Sequence, residues 1–333
     1  MSLSDRPDAA APGDPLHPDA RDLQGGRRRT VALPGRPGGA LSVLEWDGPP
    51  GYDPAAPVLV WLHATGFHAL TYRRLLIDLA GHLPVIAVDQ RGHGLTTLPA
   101  EPGRMNVHGA YFADAVALLE GLGRPAIMAG HSLGSIVSTG LAGRRPDLVR
   151  GLVLAEPVLL KQSRLTVFAI ARALGQADRV SPLSGAARRR RAIFPSRAAM
   201  LEAYTGRGAF KTWPQETLED YVAAGARDRP DGQVELSCTP DWEAGTFNGL
   251  PARMWRWIAG IRCPITLLRG SVRSTCAEAP AARLKALHPR TREVFRPQAS
   301  HFLPQEEPDL VVAEILRLAA ALPAASAAPA RGN

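Results

Sequence analysis

Apolar and polar positions along the 333-residue chain follow two rhythms. Apolar runs at residues 58–62, 84–88, 126–130, 151–155 and 263–268 are too short for helices and end at polar or glycine-bearing turns. They predict buried strands. Between and after them, residues 72–80, 107–122, 135–142, 281–287 and 310–322 predict helices. Residues 30–33 and 41–46 predict two strands joined across a glycine-rich turn, and 292–295 a last one. This alternation predicts an α/β fold, with a mostly parallel central sheet covered by helices on both faces.

The rhythm breaks between residues 159 and 261. Helical stretches, the run Arg188-Arg189-Arg190-Arg191 and many aromatic residues fall there, without a strong strand signal. A helical insertion lying over the sheet is expected. The predicted organisation is a disordered Pro- and Gly-rich segment over 1–28, a core over 29–158 and 262–323, a helical cap over 159–261, and a loose tail over 324–333.

One stretch organises the rest: Gly130-His131-Ser132-Leu133-Gly134, between an apolar run and a helix of small residues. Glycines on both sides of a serine permit a turn tight enough to present its hydroxyl in a strained, exposed position. Ser132 then stands at the end of a strand and the start of a helix. Developing negative charge is favoured there, and the Leu133 N–H can point at an oxyanion.

Composition narrows the classes. Hydrophobic residues at 45% and charged residues at 21% fit a globular protein that can bury a sizeable core. The net charge of +8 is carried almost wholly by arginine, since Lys161, Lys211 and Lys285 are the only lysines. The clusters Arg27–Arg29 and Arg188–Arg191 lack the interleaved aromatics of a nucleic-acid surface and read as solvated or helix-end charge. No nucleic-acid partner is expected. No run of eighteen apolar residues is present, so no membrane span is expected. Cys238, Cys263 and Cys276 suggest neither disulfides nor a metal site, which predicts a reducing, cytoplasmic setting and no cofactor.

A serine hydroxyl needs a base within hydrogen-bond reach, and that base needs an acceptor to fix its tautomer. On a parallel sheet such groups collect at the carboxyl ends of strands. Ser132, Glu156 and His301 stand at such ends, with the turn around Thr65 available for an oxyanion.

Taken together, His63-Ala64-Thr65-Gly66, Asp89-Gln90-Arg91-Gly92-His93-Gly94, the turn around Ser132, and Ser300-His301-Phe302 resemble the α/β-hydrolase fold family over roughly residues 40–320. The resemblance implies Ser132 as nucleophile, His301 as general acid and base, the Thr65 and Leu133 N–H groups as oxyanion hole, and a cap where the helical insertion lies. It departs in one place. The loop that usually carries the acid reads Arg269-Gly270-Ser271-Val272-Arg273-Ser274-Thr275-Cys276, with no carboxylate before Glu278. Glu156, on the strand after the nucleophile helix, is the candidate acid, and some family members carry theirs there. Glu278, Asp241 and Glu243 are the other carboxylates in contention.

Candidate pocket residues are His131, Phe67, Trp213 and Trp242, and the aromatic-rich cap points to an apolar pocket. The expected reaction is hydrolysis of a small-to-medium hydrophobic ester, thioester or lactone through an acyl-enzyme. Carbon–carbon bond hydrolysis, other serine-dependent chemistry of the fold, and non-catalytic ligand binding are the alternatives.

Overall fold

The computed structural model describes residues 14–102 and 107–322. Eight strands form one sheet: β1 (Arg27–Val31), β2 (Leu41–Trp46), β3 (Val58–Leu62), β4 (Val85–Asp89), β5 (Ala126–His131), β6 (Val149–Ala155), β10 (Ile265–Val272) and β11 (Arg292–Ser300). A second sheet holds β7 (Ile193–Phe194), β8 (Ala226–Asp228) and β9 (Val234–Leu236). The large sheet runs β1-β2-β4-β3-β5-β6-β10-β11, with only the β1–β2 and β2–β4 pairs antiparallel. This is an α/β hydrolase fold.

β3 shows why the sheet is buried on both sides. Val58, Val60 and Leu62 join one core cluster, while Leu59 and Trp61 join the other. A strand with apolar residues at every position has to be covered on both faces. Helices α1 (Arg73–Ala80), α2 (Val107–Leu122) and α3 (Leu133–Arg144) follow strands β3, β4 and β5. The small residues of α3 let it sit tightly. A Cβ on Gly143 would lie 2.0 Å from the Trp257 carbonyl oxygen.

Between β6 and β10 lie α4 (Gln162–Ala173), α5 (Ala177–Val180), α6 (Pro182–Arg188), α7 (Arg197–Tyr204), α8 (Gln215–Gly225), α9 (Pro240–Asn248) and α10 (Met254–Ala259), together with the small sheet. Its strands are two or three residues long, too short to show a period in the sequence. Helices α11 (Glu278–Leu287), α12 (Leu303–Glu306) and α13 (Pro308–Ala321) complete the chain.

Three boundaries differ from the sequence expectation. Residues 14–28 are not all unstructured, because Pro18–Ala20 forms a 3-10 turn and β1 begins at Arg27. The Arg27–Arg29 cluster is an edge strand whose charges meet carboxylates across the ladder, Arg27 with Glu45 and Asp47 and Arg29 with Glu45. β11 runs on to Ser300 despite Pro297, which an edge strand tolerates. Residues 1–13 and the 324–333 tail lie outside the described residues.

Candidate active site

The glycines around Ser132 are dictated by backbone crowding. A Cβ on Gly130 would lie 2.4 Å from the Gly134 carbonyl carbon, and one on Gly134 would lie 2.0 Å from the Leu62 carbonyl oxygen. Ser132 sits between them at φ 53° and ψ −108°, a conformation that costs energy for a side-chain-bearing residue. Its N–H donates to the Ala155 carbonyl at 3.1 Å. The strained turn is thus pinned to the end of β6.

That same strand end supplies Glu156, fully buried and also in the left-handed region, at φ 46°. A buried carboxylate has to be hydrogen-bonded. Glu156 accepts from the Gly270 N–H at 2.5 Å, the Ser274 hydroxyl at 3.0 Å and the Thr275 N–H at 3.3 Å. Its Oε2 lies 3.2 Å from His301 Nδ1. The loop that offers no carboxylate therefore supplies donors to one that reaches it from β6.

His301 Nδ1 is also 3.2 Å from Thr275 Oγ1. An ionised carboxylate only accepts, so Nδ1 carries the ring proton and Nε2 is left as the basic nitrogen. His301 lies beside the Ser132 turn, with its ring 5.0 Å from that of His131. No hydrogen bond joins Ser132 Oγ to His301 here, and such contacts are commonly long without substrate.

The other carboxylates in contention bind arginines instead. Glu278 pairs with Arg269, Asp241 with Arg188, and Glu243 with Arg190.

The turn before Gly66 is held by two neutral histidines. His63 Nδ1–H donates to the Ala64 carbonyl at 2.8 Å, and its Nε2 accepts from the Gln90 N–H at 2.8 Å. Burial pushes the His63 pKa down to about 4. His93 Nε2 accepts from the Gly66 N–H at 3.0 Å, and burial, then the neighbouring His63, hold it well below the ordinary value. Asp89 ties the following loop to β4, accepting from the Ala69 and Leu95 N–H groups at 2.8 and 3.0 Å. Burial opposes its charge, but Arg28 and these donors hold its pKa below the usual carboxylate range. With the turn fixed, the N–H groups of Thr65 and Leu133 have no protein acceptor among the described residues.

The predicted pocket residues divide. Phe67 packs edge-on against Trp213 and Tyr221, at 5.2 and 5.6 Å between ring centres, and stacks on Phe302 at 6.1 Å. Phe67 and Trp213 therefore meet next to His301. Trp242 does not join them. It is buried against Gly92, and its Nε1–H donates to the Arg91 carbonyl at 3.0 Å and Tyr111 Oη at 2.7 Å. It fastens α9 to the loop after β4 and has no free face for a ligand.

His131 is also corrected, because both of its ring nitrogens are engaged by protein. Nε2 lies 2.7 Å from the His301 carbonyl and Nδ1 2.8 Å from Tyr72 Oη. A carbonyl only accepts, so Nε2 carries the proton and Nδ1 accepts from the Tyr72 hydroxyl. Tyr72 Oη accepts in turn from the Ala64 N–H at 3.1 Å. Nothing in the sequence marks Tyr72, since a tyrosine before a helix is ordinary. His68 is buried as well, with Nε2–H donating to the Tyr221 carbonyl of α8 at 2.9 Å.

A mostly parallel sheet presenting a strained serine at a strand–helix junction is the architecture of α/β hydrolases. A family model for the alpha/beta hydrolase family matches residues 59–314, and the chain belongs to that family. It is similar to 2-(acetamidomethylene)succinate hydrolase of Mesorhizobium japonicum, 27% identical over 263 residues that span 78% of this chain and 87% of that one. It is 36% identical to Lipase LipV of Mycobacterium tuberculosis over 117 residues, 34% of this chain and 43% of the lipase. A crystal structure of E-2-(acetamidomethylene)succinate hydrolase superposes with a TM-score of 0.70 at 25% identity, covering 89% of this chain and all of that one. The chain is a hydrolase by this kinship. Among the described residues no helix is long and apolar enough to cross a membrane.

Proposed function

We propose that this hydrolase uses Ser132, His301 and Glu156 as a triad and the Thr65 and Leu133 N–H groups as oxyanion hole. The observation that carries this reading is the Glu156 carboxylate, buried under three loop donors and 3.2 Å from His301 Nδ1. With Nδ1–H fixed there, His301 Nε2 takes the Ser132 proton as Oγ attacks the substrate carbonyl. The tetrahedral oxyanion accepts from Thr65 and Leu133. His301 then gives its proton to the leaving group, and a water that it deprotonates releases the acid from Ser132.

Phe67, Trp213, Tyr221 and Phe302 support a small-to-medium hydrophobic ester, thioester or lactone as substrate. Trp213 Nε1–H, buried without an acceptor, can donate to a polar atom of the acyl group. In this reading residues 159–261 act as the cap over the site. The three free cysteines support a cytoplasmic setting.

Arg190 favours a second reading, a substrate bearing a carboxylate. Its Nη1, paired with Glu243 at 2.7 Å, would be 3.5 Å from a Cβ on Gly66, beside Thr65, and the similar Mesorhizobium enzyme is named for a succinate. A hemisuccinate ester compared with a neutral ester separates the two. Arg190→Gln should raise KM for the charged ester alone if the second reading holds.

Fluorophosphonate labelling followed by intact mass tests the triad. Single labelling of the wild type, lost in Ser132→Ala and much slower in Glu156→Gln, is expected. Equal rates for wild type and Glu156→Gln would move the acid elsewhere. An unlabelled wild type would favour a non-catalytic ligand-binding role.

A further inference from the structure

The chain's charge is not spread evenly. Residues 161–191 carry eight cationic side chains against the single Asp178, a net +7 of the chain's +8. Arg188 pairs with Asp178 and Asp241, and Arg190 with Glu243. Lys161, Arg164, Arg172, Arg179, Arg189 and Arg191 have no carboxylate partner among the described residues. A run of arginines with nearby carboxylates would be ordinary solvated surface. Here six of the eight cationic side chains lack one.

The same segment exposes aliphatic side chains. Val167, Ile170 and Leu174 are 51%, 55% and 69% exposed, and Leu183 is 56% exposed. The first three are spaced three and four residues apart, so they form one stripe along α4 and just past its end. Leu165, Phe168 and Ala171 form the buried face that docks α4. Leu183 lies on α6, and α5 packs against both α4 and α6. Four large exposed apolar side chains in seventeen residues, on helices that pack in series, are more than isolated surface exposure.

We propose that this α4–α6 face of the cap docks onto an anionic lipid surface. Aliphatic side chains entering the acyl boundary, with arginines at the level of the phosphates, are the arrangement such a surface selects. The alternatives fit the charge less well. A second copy would bring two strongly cationic faces together. A nucleic acid would meet aliphatic side chains where stacking needs aromatics. The proposal concerns a face outside the triad, so it stands or falls apart from the hydrolytic reading.

The test is co-sedimentation of the full chain with phosphatidylcholine vesicles, with and without phosphatidylglycerol. Retention is expected only with phosphatidylglycerol, weakening as salt is raised. Arg164→Gln, Arg179→Gln and Arg189→Gln should each lower the affinity about fivefold. The triple variant Val167→Ser/Ile170→Ser/Leu174→Ser should lose retention while its thermal melt stays within a few degrees of wild type. Equal retention by both vesicles, retention by neither, or an unchanged triple variant would overturn the proposal. So would a dimer in sedimentation velocity that the triple variant abolishes, since the face would then be a contact between copies.

Discussion

His131 Nε2–H donates to the backbone carbonyl of His301 at 2.7 Å, so the residue before the serine holds the loop that carries the histidine. The link continues through Tyr72 Oη, at 2.8 Å, to the Ala64 N–H, at 3.1 Å, one residue before Thr65. Three separate segments, the turn after β3, the serine turn and the loop after β11, are therefore tied by one chain of buried hydrogen bonds. Burial, then the neighbouring His301, hold the His131 pKa well below its ordinary value, so the ring stays neutral and can pass the connection on.

Tyr72→Phe removes only the hydroxyl and leaves two buried groups unpaired. We expect kcat to fall roughly ten- to a hundredfold with KM changed less than about twofold. His131→Leu should behave likewise, and His131→Gln, which keeps a donor for the His301 carbonyl, should recover part of the rate. Because both substitutions break one chain, the double variant should lose little more than either single one. Additive losses, or kcat within about twofold of wild type, would show that the connection does not position His301.

Glu156 makes a sharper case. Glu156→Gln keeps the size but turns an amide group toward donors that need an acceptor, with His301 Nδ1–H among them. We expect kcat to fall on the order of 10³–10⁴-fold. Thr275→Val removes the second partner of Nδ1 together with the hydroxyl's bonds to the Glu156 and Pro157 carbonyls, and should cost roughly tenfold. Steady-state rates for both variants decide the order, and a larger loss for Thr275→Val would assign Glu156 a structural role.

What the sequence showed of this site follows from where the constraint is local. Gly130 and Gly134 are required by backbone atoms four or five residues away or on the adjoining strand, so the turn around Ser132 is written in a short motif. The burial of β3 at every position is equally local, written in its unbroken apolar run. Glu156 was legible as a strand-end carboxylate, but the donors that hold it come from residues 270–275, over a hundred positions on. Tyr72 and the placement of Trp242 depend on such long-range packing and leave no local pattern. β7, β8 and β9 went unseen because two or three residues define no period.

The glycines give a stability test. In Gly134→Ala the new Cβ would meet the Leu62 carbonyl, a backbone atom that cannot move aside, and a loss of at least about 3 kcal/mol is expected. Gly121→Ala, in α2 with nothing near its Cβ, should gain about 0.5–1 kcal/mol from helix propensity alone. Urea unfolding of both variants checks the contrast. Equal stabilities would mean the turn can relax.

Acid should destabilise this protein through its buried histidines, with one carboxylate working the other way: burial raises Asp220 to about 6, so it takes up a proton in the folded state and offsets part of the loss. Burial pushes His63 and His108 down to about 4 and lowers His68, His93 and His131 as well. In the unfolded chain each would take a proton near its ordinary value of about 6.5. Between those two values the unfolded state binds more protons, so stability falls as pH falls. Each buried histidine contributes a slope of up to about 1.4 kcal/mol per pH unit across that window. Thermal melting at constant ionic strength should therefore show Tm dropping steeply from pH 6.5 to 5. His108→Gln, away from the site and able to keep the bond to the Thr246 carbonyl, should remove one proton from that slope. A Tm that is flat across the window would mean these rings are protonated in the folded protein, and the neutral tautomers assigned to His63, His93 and His131 would then be wrong.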